Sequence, residues 1–171
     1  MSLLSWREAR YSDRQALQTS FICTEPETRQ VPWRRSTPVY RPWEKEVQGY
    51  IRNLRPPARS DSELYLLGED AEGIGAAAWT TEVDGPGDVY IEALAVATRL
   101  RGQSVGDELL NVLTSWLANR AEAAGCDQLL LSCRVHVHNR PAKALFSRAN
   151  AMLTGSFDEE YDEWLLPPVD L

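Results

Sequence analysis

The chain has 171 residues, 43% of them apolar and 25% charged, a length and balance that suit one globular domain able to bury its core without a metal or disulfide. Its net charge of −7 speaks against a nucleic-acid partner, which wants a basic face. The charge is unevenly spread: residues 1–60 hold 11 basic and 6 acidic side chains (+5), and residues 61–171 hold 7 and 19 (−12).

In chain order, 3–10 reads as a short first strand, and Asp13 as the cap of a helix reaching about Phe21. Residues 22–41, with prolines at 26, 32 and 38, read as irregular. Pro42 suits a first helical position, and Val47, Tyr50, Ile51 and Leu54 form a helical stripe that stops before Pro56. Three strands follow, Glu63–Leu67, Ile74–Val83 and Asp88–Val96, the last two joined by Asp84-Gly85-Pro86-Gly87. From Gly106 the period lengthens to about 3.6, with Leu109, Leu113, Trp116, Leu117 and Ala121 on one face and Gly125 as the stop. Gln128–Val135 is a solidly apolar strand, Arg140–Asn150 a second amphipathic helix, and Met152–Thr154 and Glu163–Leu166 the last strands. The order β-α-α-β-β-β-α-β-α-β-β predicts a mixed α/β (α+β) domain spanning 1–171.

No apolar run approaches the ~20 residues of a membrane span. Trp6-Arg7-Glu8 stands where a signal peptide needs its apolar stretch. Cys23, Cys126 and Cys133 are odd in number and form no CxxC, so a reduced cytoplasmic protein with free thiols and no membrane partner is expected. With only His136 and His138, no metal site is expected.

The most informative stretch is Tyr90–Leu110. A strand runs into the loop Arg101-Gly102-Gln103-Ser104-Val105-Gly106 and then into an amphipathic helix. Such a junction aims free backbone N–H groups and a helix dipole at one spot, a seat for phosphate. Gly102 and Gly106 let the backbone approach an anion, and Arg99 and Arg101 add mobile charge at the rim. No Gly-Lys-Ser/Thr or GxGxxG is present, so neither a Walker loop nor a dinucleotide fingerprint fits; by spacing alone, a plain strand-to-helix turn is an equal reading.

The segment resembles the acyl-CoA-binding motif of the GNAT superfamily of N-acetyltransferases, Arg/Gln-x-x-Gly-x-Gly/Ala, with the Arg five positions beyond a strand-ending Val. Val96, Arg101 and Gly106 fall on those positions, and Ser104 replaces the middle Gly. His138–Phe146 is similar to the family's later Asn-x-x-Ala-x-x-x-Tyr block: Asn139 and Ala142 match, Phe146 replaces the Tyr, and Asn150-Ala151 replaces the usual Gly-Phe. The resemblance covers about residues 60–166. It implies a mostly antiparallel sheet with two splayed central strands and flanking helices. Residues 1–60 would be acceptor-side helices and lid, and 61–166 the acyl-CoA core. Acetyl-CoA, or another acyl-CoA, is the implied cofactor, held by Leu94, Ala95, Val96, Arg101–Gly106 (Gln103 and Val105 included), Asn139, Ala142 and Phe146.

The family's direct transfer implies an amine that attacks the thioester after losing a proton. Glu92, four positions before Val96, is the candidate base; strand alternation places it on the face of Leu94 and Val96. His136 and His138 are its rivals. Phe146 cannot protonate the leaving thiolate as the family's Tyr does, so Tyr161 or Ser147 supplies the proton, the thiolate leaves unaided, or the chain is a non-catalytic acyl-CoA-binding module.

The acceptor is expected to be a cationic small-molecule or peptide amine. The loop Asp158–Glu163 holds five acids, and Glu160, Tyr161 and Trp164 are candidate acceptor contacts. A solvated acidic loop is the commoner outcome for such runs. Trp33 to Trp43 interleaves aromatics with three arginines, and Trp33 and Tyr40 are further candidate acceptor contacts in a lid, although an anchored loop with packed aromatics and solvated arginines is the commoner outcome. The alternating aromatics and arginines also match base stacking and phosphate contacts, so acylation of aminoacyl-tRNA or a protein amine is a further alternative; net charge ranks tRNA last. Pairing into a homodimer is left open.

Overall fold

A computed structural model of the protein describes residues 3–27 and 39–171. Ten strands and four helices alternate along it: β1 (Ser5–Glu8), α1 (Arg14–Thr19), β2 (Pro26–Glu27), β3 (Val39–Tyr40), α2 (Pro42–Asn53), β4 (Glu63–Asp70), β5 (Gly73–Glu82), β6 (Asp88–Val96), α3 (Val105–Ala123), β7 (Gln128–His136), α4 (Arg140–Arg148), β8 (Met152–Ser156), β9 (Tyr161–Leu165) and β10 (Val169–Asp170). The sheet runs β1-β4-β5-β6-β7-β9-β8, with β10 beside β7 and a separate β2–β3 ladder. Every pairing is antiparallel except β6 with β7. The mixed, mostly antiparallel fold expected from the sequence is the fold observed. Two segments read as irregular or short gain structure: β2 and β3 lie inside 22–41, and α1 is preceded by a 3₁₀ turn at Tyr11–Asp13.

The alternation of small and branched residues along the central strands gives the sheet two apolar faces. Leu66, Ala76, Ala78 and Leu131 pack with Leu109, Leu113 and Leu117 of α3 and Phe146 of α4. Tyr65, Leu67, Ala77, Ala93 and Ala95 pack with Leu17 of α1 and Ile51 of α2. Burial of this kind contributes about 25 cal/mol per Å² and dominates the stability of the sandwich. Gly125 (φ +80°) ends the α3 segment in the left-handed conformation that a glycine takes without strain.

Two polar ties hold the edge strand β1. Trp6 on the edge strand donates its indole N–H to Glu108 in the first turn of α3, at 2.7 Å. Arg7 forks between Asp13 and Glu69 with bonds of 2.7 to 3.0 Å, holding both carboxyls below their usual pKa range. Among the described residues, no helix is long and apolar enough to cross a membrane.

Candidate active site

The two central strands part company midway. β6 pairs with β7 from Asp88↔Leu130 to Ile91↔Cys133 and no further. Beyond that point β6 continues along β5 to Val96, and β7 along β9 to His136, so their facing edges carry no ladder bonds to each other. The parting coincides with a bulge. On β5, Trp79 opposes Ala93 and Thr80 opposes Ile91, which leaves Glu92 as the extra residue. A bulge bends its strand and re-aims the side chains around it.

This re-aiming corrects the face expected for Glu92. Ile91 and Leu94 both pack toward α3, whereas Ala93 and Ala95 pack toward α1 and α2. The Glu92 carboxylate accepts the Thr81 hydroxyl at 2.7 Å, and Thr81 lies two residues along β5 from Trp79, which packs on the α1–α2 side. Glu92 therefore faces α2, opposite Leu94 and Val96; the strand alternation is broken by the inserted residue.

At the end of β6 the chain makes a 3₁₀ turn, Thr98–Leu100, and enters α3 through a tight loop. Gly102 has φ +75° and Ser104 φ +59°. Ser104 thus adopts the backbone conformation that the family's glycine favours, at a cost of roughly 1 kcal/mol. Its carbonyl accepts the Glu108 N–H at 3.1 Å, and its side chain makes no capping bond to the first turn of α3. The leading N–H groups of the helix stay available to an anion. A Cβ on Gly106 would meet only the Leu145 methyls, at 3.8 and 3.9 Å, so the protein itself leaves this spot open.

A cleft of about 640 Å³ lies between these parts. Eleven of the twelve residues expected to hold the cofactor line it: Leu94, Ala95, Val96, Arg101, Gly102, Ser104, Val105, Gly106, Asn139, Ala142 and Phe146. Gln103 does not; its amide turns back to the Arg99 carbonyl at 3.2 Å. The Asn-x-x-Ala spacing has a local cause, since the Asn139 side chain caps α4 by accepting the Ala142 N–H at 3.2 Å. Phe146 is buried against Trp164 and closes the cleft's apolar wall.

The two arginines expected to add mobile charge at the rim are both paired with carboxylates. Arg99 forks onto Asp70 at 2.6 and 2.8 Å. Arg101 reaches the Cys23 carbonyl, Glu44 at 3.0 Å and Glu25 at 3.3 Å. Glu44, which also lines the cleft, was not signalled by any local motif, because its partner is 57 residues away in sequence.

Beside the cleft, α2 presents a second group that the sequence did not mark. The Trp43 ring lies 4.7 Å from that of His136, and His136 meets the Tyr161 ring edge-on at 5.4 Å. Tyr161 and Tyr50 both donate their hydroxyls to Glu46, the latter at 2.8 Å. Burial, and then this bond, raise the Tyr161 pKa above its ordinary range. His136 Nδ1 accepts the His138 N–H at 3.1 Å. Tyr50 touches Trp79 edge-on at 6.0 Å, and Glu92 is near enough to help raise the Tyr50 pKa.

The other expected acceptor contacts are dispersed. Trp164 is buried on the α4 side of the sheet, with Cys133 and Leu153 as its strand partners, so it is a core residue and not an acceptor contact. Glu160 is exposed, and its carbonyl accepts the Val137 N–H. Tyr40 pairs with Pro26 in the small ladder. Trp33 lies outside the described residues. The acidic loop is partly neutralised: Asp162 meets Lys143 at 2.6 Å, Glu163 meets Arg134 at 3.7 Å, and Asp158 accepts the N–H groups of Glu160 and Tyr161. Ser147 is exposed on α4.

The sequence matches the acetyltransferase (GNAT) family over residues 15–151. No curated protein sequence matches the chain. The fold is similar to that of the ribosomal-protein-S18-alanine N-acetyltransferase from Escherichia coli, with a TM-score of 0.62 and 16% identity over 99% of this chain and 96% of that one. It is similar to nourseothricin acetyltransferase, with a TM-score of 0.62 and 17% identity over 97% and 99%. It is also similar to the GNAT domain of PAT from S. lividans, with a TM-score of 0.65 and 13% identity over 98% and 90%.

Proposed function

The chain belongs to the GNAT acetyltransferase family, and on that premise we propose that it acetylates a primary amine of a cationic small molecule or peptide, with acetyl-CoA as the donor. The observation that carries this reading is the meeting of two features at one cleft: the sheet opens after Ile91 and Cys133, and the start of α3 lines the same opening.

The residues present fit such a donor. The loop from Gly102 to Gly106 offers backbone N–H groups and the positive end of the α3 dipole to a pyrophosphate, with no Cβ at Gly106. Leu94, Ala95 and Val96 offer an unpaired strand edge to an extended arm, and Ala142 and Phe146 give it an apolar wall. Bound there, acetyl-CoA supplies a thioester-activated acetyl group. A backbone N–H preorganised at the carbonyl oxygen is worth about 3 kcal/mol of barrier.

Glu92 is the proton acceptor in this reading. Its position toward α2 puts it with Tyr50 and Glu46 on the side from which an amine would approach, and Thr81 orients its carboxylate. Tyr161 holds its proton on Glu46. A phenol raised above its usual ~10 is a weaker acid than a thiol near ~8.5, so we read Tyr161 as orienting Glu46 and not as the proton donor. Trp43, Tyr161 and Glu46 together suit an ammonium group, through ring faces and a carboxylate.

The test is thiol release from acetyl-CoA against spermidine, an aminoglycoside, a lysine-ended peptide and a free peptide N-terminus. Release that depends on one of these amines supports the reading and identifies the acceptor class. Tight CoA binding without release for any of them overturns it in favour of a binding module.

A further inference from the structure

We infer that Glu44 is a positioning residue: through Arg101 it locks α2 to the phosphate loop, and its own charge holds the affinity for CoA below what the cleft would otherwise reach. The inference rests on the proposed seating of CoA at the start of α3.

A carboxylate in the wall of an anion cradle is out of place on charge alone. Yet the Glu44 side chain is only 10% exposed and lines that cleft. It is held there by three polar contacts. One oxygen accepts from Arg41 at 2.8 Å and from Arg101 at 3.0 Å. The other accepts the Glu25 N–H at 3.0 Å. Arg101 also donates to the Cys23 carbonyl and so closes the ring. Three pieces of chain meet at one carboxylate: residues 23–25, the first turn of α2, and the phosphate loop.

The arrangement has two opposed effects. Pulling Arg101 away from Glu44 takes one of its two cationic partners from a nearly buried carboxylate, which is unfavourable, so α2 stays docked. Trp43 and Glu46 flank Glu44 on the same helix, and they touch His136 and Tyr161 on the acceptor side. The negative charge meanwhile shares a low-dielectric cleft with the phosphates it repels, and it occupies Arg101, which they would attract.

The experiment compares Glu44→Gln with the parent chain by calorimetric titration of CoA and by hydrogen exchange across residues 42–53. The expected result is a CoA Kd lower by about three- to tenfold at low salt, a gain that shrinks at 0.5 M salt, together with faster exchange in α2. Unchanged or weaker CoA binding overturns the inference, because a general structural lesion would loosen α2 and weaken CoA together. Unchanged exchange overturns it as well. Glu25→Gln, at a half-exposed side chain, keeps the test alive if Glu44→Gln does not fold: it should tighten CoA in the same direction by up to about twofold, and no tightening there counts against the inference. Absence of CoA binding by the parent chain removes the proposed function itself, an outcome distinct from either.

Discussion

Glu92 and Leu94 project from opposite faces of β6, although they are two residues apart on one strand. The bulge gives each strand face a separate task. Leu94 borders the cleft on the α3 side, and Glu92 is bound to Thr81 on the α2 side.

If Glu92 takes the acceptor's proton, Glu92→Gln should lower kcat about 100-fold or more at neutral pH. The loss should shrink at high pH, where free amine is abundant. Thr81→Val should lower kcat by about three- to tenfold, through the lost hydroxyl donor alone. A pH–rate profile unchanged in Glu92→Gln removes this residue from the role.

At Gly106 the protein leaves room that a bulky side chain would take from an anion. Gly106→Trp should therefore abolish measurable CoA binding by calorimetry. Gly106→Ala should retain the parent melting temperature, since its Cβ meets only ordinary methyl contacts. Undiminished affinity in the tryptophan variant would sink the placement of the cradle.

Ser104 sits in the left-handed region with φ +59°. Ser104→Gly should raise stability by roughly 0.5 kcal/mol, the relief of strain exceeding the extra freedom of the unfolded chain. Urea midpoints check this, and CoA affinity should be unchanged, because the loop keeps its course.

Burial pushes the Cys23 thiol up to about 11 and the Cys133 thiol and Tyr90 phenol up to about 12. Each group keeps its proton to higher pH when folded than when unfolded. Their contribution to stability is thus complete below the unfolded values, 9.0 for the thiols and 10.0 for the phenol, and is lost as pH rises toward the folded ones. Urea midpoints should fall from pH 9 to pH 11, less steeply above pH 10 in Tyr90→Phe. At pH 8 a thiol reagent should modify Cys126, which is partly exposed, well before Cys23 and Cys133.

Local sequence carried much of the fold because its signals are local: Pro42 begins α2, Asn139 caps α4, and Gly125 stops α3. The cradle was legible for the same reason, its residues being nearly contiguous. The side chains that surround it were less so. The bulge at Glu92 is a property of pairing between β5 and β6, and strand alternation read on one strand cannot show it. Trp164 looked like part of an acidic acceptor loop, but the register of β9 turns it into the core. Glu44 and Glu46 lie on a helix with an ordinary apolar stripe, and their meaning comes from Arg101 and Tyr161, which are distant in sequence.

The bond from Trp6 to Glu108 spans 102 residues. During synthesis the first strand emerges long before its anchor exists, and its neighbour β4 appears only after residue 63. At about 5–20 residues per second, Trp6 waits roughly 5–20 s for its partner. The edge strand is thus tied to α3 only once residue 108 has been made, well after its ladder to β4 can form.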